Sequence, residues 1–530
     1  MKDGGKVSRT LTPIDAEYQQ AKLIALTICF GCVSGILAYT YAWAMETSLW
    51  LAWEVVPEKI MEYAESFSDG ILILNKYGFL YTMVVAIVLS FFVGMAQKYM
   101  EYPGDLAEVV LNVYECGYVP MYTTLPMIVI SLLGITAGVS LGPEAPLVAV
   151  TSSVCGLIAR KYLKLNPHMV RKCTLIGMAA GLSAFFGVQF GGALFSIEVC
   201  NTMGAQFNEV TVYAVAAGGI CLSIYVGLRG DSFGDIWDWP AIPNSTYSEI
   251  ILGCLLGVLA GFVGIFFRSM HKTIGKIVKQ MGLGSYKKSD HPIVLSVLGG
   301  IVLAVIGVLF PPTMFWSEFE IGSIASPGLP LEHIWPQGGF FYGLAPYEWE
   351  SPPMYLAVGF FKLVAISVTI HAGFRGGFIF PLFFVGCAFG RSILPALMWI
   401  LPTGWVNVSA VLVCMSMAAG LNVAITRTPF ASPLILISLC GVQAVGPPII
   451  SASLAALFVT RKHQFIMTQQ GRADIVFVDD LVGENKEQEE DGGADEFAKN
   501  TGDEATSLVS AVGGTVGPEG SLVRDYEAIA

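Results

Sequence analysis

The chain has 530 residues, 54% hydrophobic and only 13% charged, with a mean hydropathy of +0.64. An average soluble domain carries about 25% charged residues, so a soluble fold would lack the charge to cover this much apolar side chain. Fourteen acids against Lys486, Lys499 and Arg524 put −11 of the net −12 in residues 475 to 530 and leave −1 for the rest; a neutral, oily body offers no basic footprint, which excludes nucleic acid as a partner.

In chain order, residues 1 to 20 are polar and basic and are expected to form a cytoplasmic N-terminal segment. The apolar run from Leu23 to Trp43 is too long for a cleaved signal and lacks a small-residue cleavage site, so it is read as the first membrane segment. Further apolar stretches follow at about 71 to 98, 124 to 139, 145 to 163, 173 to 197, 210 to 228, 248 to 267, 291 to 311, 355 to 371, 377 to 400, 405 to 424 and 430 to 460. A helix needs about 20 apolar residues to cross the hydrocarbon core, so the pattern predicts an all-α, multi-pass membrane domain over residues 21 to 474. Several stretches are interrupted, by Gly138, Gly142, Pro143 and Pro146 in one place and by Pro433, Gly441, Gly446 and Pro447 in another. Hydrocarbon does not tolerate unpaired backbone, so these breaks are expected inside the protein.

Basic residues cluster at Lys2 to Arg9, Arg160 to Lys172, Arg268 to Lys288 and Arg461 to Lys462, while the tryptophan-bearing loops at 229 to 246 and 312 to 354 hold almost no lysine. The positive-inside rule puts the clusters and both termini in the cytoplasm and those loops outside. The tail from 475 to 530 reads as an acidic, disordered cytoplasmic segment, too short and polar for a regulatory domain. Eleven cysteines without zinc spacing read as packing residues. The absence of a metal-protease, nucleophile-elbow or phosphate-loop motif argues against an enzyme, with no catalytic residue, metal or cofactor expected; His371 reads as a lone packing or hydrogen-bonding histidine.

Two elements recur in the same order. Gly142-Pro-Glu-Ala-Pro146 precedes Met178-Ala-Ala-Gly-Leu182, and Gly377-Phe-Ile-Phe-Pro381 precedes Met417-Ala-Ala-Gly-Leu421, at offsets of 235 and 239 residues. This predicts an internal repeat, about 71–228 and 291–460, whose interrupted segments point to a solute site near the membrane midplane. A helix starting at either Gly-x-x-x-Pro element would present free amides, which hold an anion by partial charge without the grip of a full cation. Glu144 stands inside the first element and could either compete with an anion for those amides, as a gate, or serve as a helix cap. Glu198 follows the run from Phe190 to Ile197 and is equally costly there unless paired.

Together, Gly142-Pro-Glu-Ala-Pro146, the run Gly177 to Glu198, Gly376-Gly-Phe-Ile-Phe-Pro381 and Arg427-Thr-Pro429 resemble the CLC family of chloride channels and anion/proton exchangers, over about residues 20 to 474. The resemblance implies an inverted-repeat fold and a homodimer with one anion pathway per subunit. It also implies that Glu144 is the external gating glutamate and that the backbone at Phe378 and Ile379 binds the anion. The first anion motif falls on Tyr102-Pro-Gly-Asp-Leu106, placing Pro103 and Gly104 at the anion; Pro103 stands where a serine is usual, as in nitrate-preferring members, and Asp105 could cap the next helix. Phe465 falls on the family's central tyrosine and would close the inner vestibule only sterically, if it is not simply a packing residue. In Phe195-Ser-Ile-Glu-Val199, Glu198 matches a structural carboxylate, while Val199 occupies the position from which exchangers transfer protons. Valine cannot titrate, so the expectation is a channel passing chloride or nitrate down its gradient under the control of a protonatable glutamate. The alternative is an anion/proton exchanger or uncoupled carrier of the same family.

Overall fold

A computed structural model describes residues 13 to 465, apart from 68, 71–76, 101–103, 105, 201–204, 231–236, 238–244, 285–288, 326–350, 403–406, 442 and 464, together with two short strands nearer the C-terminus. The first unit, Met1–Arg472, is built from helices among its described residues. In chain order they are α1 Pro13–Trp50, α2 Val56–Glu65, α3 Phe79–Tyr99, α4 Leu106–Glu115, α5 Met121–Thr136, α6 Glu144–Leu157, α7 Pro167–Phe186, α8 Gln189–Val199 and α9 Ala205–Arg229. The second half has α10 Tyr247–Gln280, α11 Pro292–Leu309, α12 Glu318–Ala325, α13 Pro352–His371, α14 Ile379–Ile400, α15 Ala410–Thr426, α16 Ala431–Cys440 and α17 Gly446–Thr460. Nine spans among the described residues are long and apolar enough to cross a membrane. The described residues of this unit are all-α, and the protein is an integral, multi-pass membrane protein.

The breaks fall where local chemistry puts them. The stretch 173 to 197, continuous in hydropathy, is two helices, because α7 ends on Gly187 in the left-handed region at φ 65°. The stretch 430 to 460 likewise divides at Gly441, φ 64°, into α16 and α17. Helix α7 starts on an Asn166 side chain that accepts from the Met169 amide at 2.8 Å, with Pro167 in the first turn. Helix α10 starts with a capping box of Thr246 and Glu249. The first apolar run extends further than its hydropathy suggests, through a π-helical turn at Leu51–Val55 into α2.

Loops read from sequence as outward-facing are partly built into the body. Trp316 and helix α12, in the stretch 312 to 354, are buried, and Trp237 donates from Nε1 to the Glu318 carbonyl at 3.1 Å. The Asn244 sequon lies outside the described residues. Helices α10, α15 and α17 meet through small residues: a Cβ on Gly420 would stand 3.3 Å from the Gly257 Cα, so glycine permits that approach.

The order of elements repeats. The series α6, α7, α8, α9 and the series α14, α15, α16, α17 each have their shortest helix third, Gln189–Val199 in one and Ala431–Cys440 in the other. The two starts meet: Gly142 and Gly377 form an antiparallel bridge, each amide donating to the other's carbonyl at 2.7 Å. The second unit, Ala473–Ala530, contains strands Gly514–Val516 and Leu522–Arg524, paired antiparallel; the acidic run ahead of them lies outside the described residues.

Candidate functional site

The bridge between Gly142 and Gly377 places the first residue of α6 against the first turn of α14. Glu144 opens α6 and is 0% exposed. Its Oε1 accepts from the Phe380 amide at 3.5 Å, and the amides of Ile379 and of Glu144 itself also face the carboxylate. Phe378 is the N-cap of α14 and offers no side-chain bond, so the free amides of that helix start are left to the carboxylate. Oε2 is buried and receives no hydrogen bond from the described residues. A buried carboxylate oxygen without a donor is costly.

Glycines make the arrangement possible. A Cβ on Gly377 would stand 2.5 Å from the Glu144 carboxyl carbon, and one on Gly376 would stand 2.7 Å from the Gly142 carbonyl. Aromatic rings close the surroundings: Phe185, Phe186 and Phe383 contact Phe380, with centroids 5.4, 5.8 and 6.1 Å away. Phe465 approaches Phe378 at 6.0 Å and stacks on Phe267 at 5.2 Å. The fold therefore gathers Glu144, Phe378, Ile379 and Phe465, which are far apart in sequence.

Gly104 is buried with φ 74°, a backbone that calls for glycine, and its surroundings include the Glu108 side chain. Pro103 and Asp105 lie outside the described residues. Glu198 accepts from the Phe430 amide at 3.2 Å and from Ala431 at 3.0 Å, so its carboxylate occupies the start of α16. Val199, the last residue of α8, is 0% exposed.

Two features escaped the sequence reading. Lys362, 0% exposed on α13, donates to the carbonyls of Thr313, Met314 and Phe315 at 2.9, 3.2 and 2.7 Å and bonds the Ser317 hydroxyl at 2.6 Å. That turn is joined in turn to the segment before Glu144, through Ser140 Oγ to Thr313 O at 2.6 Å and Phe315 N to Gly138 O at 3.2 Å. A lysine alone within the apolar run 355 to 371 was the available signal. The second is a partner for His371, which is not a lone histidine: its ring stacks on His271. One hundred residues of separation hid that pair. Among the described residues no group of three or more His, Cys, Asp or Glu could hold a metal.

The profile of a family described as voltage gated chloride channel matches residues 84–461. The chain is 24% identical over 288 residues to YfeO of Escherichia coli O17:K52:H18 (strain UMN026 / ExPEC), to which ion transport is provisionally ascribed; the match covers 52% of this chain and 59% of that protein. YfeO of Shigella flexneri is 24% identical over 285 residues, with 51% and 58% covered. The chain thus spans under two thirds of the length of these curated relatives. Among solved structures, a slow cyanobacterial Cl−/H+ antiporter superposes with a TM-score of 0.68 at 15% identity, covering 85% of this chain and 98% of that one. A CLC-type fluoride/proton antiporter gives 0.60 at 18% identity with the same coverages, and a eukaryotic CLC transporter 0.63 at 14%, covering 85% and 74%. At these identities the likeness is one of fold.

Proposed function

Because this chain belongs to the voltage gated chloride channel family, whose work is anion transport across membranes, we propose that it is an anion carrier in which Glu144 and a small inorganic anion take turns at the start of α14. The observation that carries this reading is the fully buried Glu144 carboxylate facing the Ile379 and Phe380 amides with Oε2 unpartnered. A group that plugs the anion's own donors closes the pathway, and transport then requires it to leave, which protonation favours. Such enclosure supports a carrier over the open channel that Val199 suggested. Two of the structural neighbours are antiporters, which points the same way.

Chloride is the reference substrate in this proposal, with nitrate and fluoride as competitors, and Pro103 weakens preference for chloride. The working unit is a homodimer with a pathway in each subunit, and both termini are cytoplasmic. The test is anion efflux from vesicles containing the purified protein. Wild type should release chloride faster as external pH falls, and Glu144→Gln, which cannot ionise, should release it with little pH dependence. Equal pH responses at equal protein incorporation would refute the gate.

A further inference from the structure

Beyond Phe378 the aromatic column continues into two histidines that the anion cycle leaves unused. His271 on α10 and His371 in the last turn of α13 stack with centroids 4.2 Å apart and planes 27° from parallel. His371 Nε2 lies 2.9 Å from the His271 carbonyl oxygen, which only accepts, so that nitrogen carries a hydrogen and donates it. His271 Nδ1 pairs with the buried Ser367 hydroxyl at 3.0 Å. Space has been left for the rings, since a Cβ on Gly275 would strike His371 at 2.6 Å. His271 touches Phe465 at 5.0 Å and Phe465 touches Phe378 at 6.0 Å, so the pair adjoins the anion site through one ring.

Charged groups stand on the elements that hold the pair and on those next in the chain. Helix α10 itself brings Arg268, Lys272 and Lys276. From neighbouring elements, α15 ends on Arg427, held by the carbonyls of Leu457 and Thr460, and α17 is followed by Arg461 and Lys462. Helix α11 starts beside exposed Asp290 and His291, and α3 ends near exposed Lys98. Both histidines are half-buried. Two imidazoles in face-to-face contact share one proton, because a second would set like charges against each other.

We propose that His271 and His371 form the inner proton station of the transport cycle. It rests on the carrier reading above and supplies the titratable group that Val199 lacks. A proton leaves solution for an imidazole nitrogen, then passes through water admitted beside Phe465 to a Glu144 carboxylate oxygen. Only N–H and O–H bonds form and break, and no electrons are transferred. Glu144 delivers the proton to the opposite side when the anion displaces it.

The experiment measures proton and chloride fluxes together, using the purified full chain in vesicles under a chloride gradient with no initial pH gradient. Wild type should move protons uphill in fixed ratio to chloride. His271→Gln with His371→Gln should lower that ratio at least about tenfold, and using the ratio cancels differences in protein incorporation. The single His371→Gln keeps an N–H for the His271 carbonyl and should lose coupling too, separating titration from packing. The proposal is overturned by wild type that carries chloride without protons, an arm that needs no folded variant, or by glutamine variants with an unchanged ratio. Wild type that carries no anion at all defeats the carrier reading, and this proposal with it.

Discussion

Glu144 has no side-chain cation to neutralise it in the contacts described, and its neighbours are backbone amides and glycines. Steric margin is thus part of the chemistry. Gly377→Ala would set a methyl group 2.5 Å from the Glu144 carboxyl carbon, so the carboxylate must leave the α14 start. The expected outcome is chloride efflux altered as severely as in Glu144→Gln, with the response to external pH lost; efflux with a wild-type pH response would show that the carboxylate does not use this space. On the proposed placement of Pro103 at the anion, serine would add an O–H donor there, and Pro103→Ser should move bi-ionic selectivity toward chloride over nitrate. Glu144 was legible in sequence because an acid between a glycine and prolines within an apolar run is conspicuous. Its contact with Phe380 was not, since 236 residues separate the partners and no periodicity relates them.

At the scale of elements, the site depends on how the turn at Pro311–Ser317 is fixed. Phe315 and Ser317 there have positive φ values of 53° and 60°, a conformation unfavourable for side-chain-bearing residues. Lys362 secures that turn with bonds to three carbonyls and a hydroxyl. Lys362→Met fills similar volume but strands those acceptors in a buried place, and should cost roughly 2 to 4 kcal/mol of stability. Thermal unfolding in detergent should show a lower midpoint, whereas an unchanged midpoint would remove Lys362 from this role. Helix existence was readable from hydropathy, and Gly441 was among the expected breaks, but the division at Gly187 was not, because hydropathy is continuous through it while the backbone is not. The burial of α12 was hidden by its setting among polar and proline-rich neighbours.

For the whole molecule, two ordinary helix starts that are distant in sequence become one candidate site. Each half supplies an interrupted element, and the antiparallel bridge between Gly142 and Gly377 joins them. The repeated Gly-x-x-x-Pro and Met-Ala-Ala-Gly-Leu elements pointed to a duplication in the sequence, whereas the meeting of the two helix starts required the fold. That meeting places a negative side chain where an anion would be held, so the central claim is mutually exclusive occupancy. Chloride binding to the purified protein, measured by calorimetry across pH, tests this most directly. If Glu144 must be protonated to vacate the amides, wild-type affinity should fall about tenfold per pH unit above the carboxyl's titration, with one proton taken up per anion bound, and Glu144→Gln should bind with an affinity independent of pH. Wild-type affinity that does not change with pH, with no proton uptake on binding, would contradict the account.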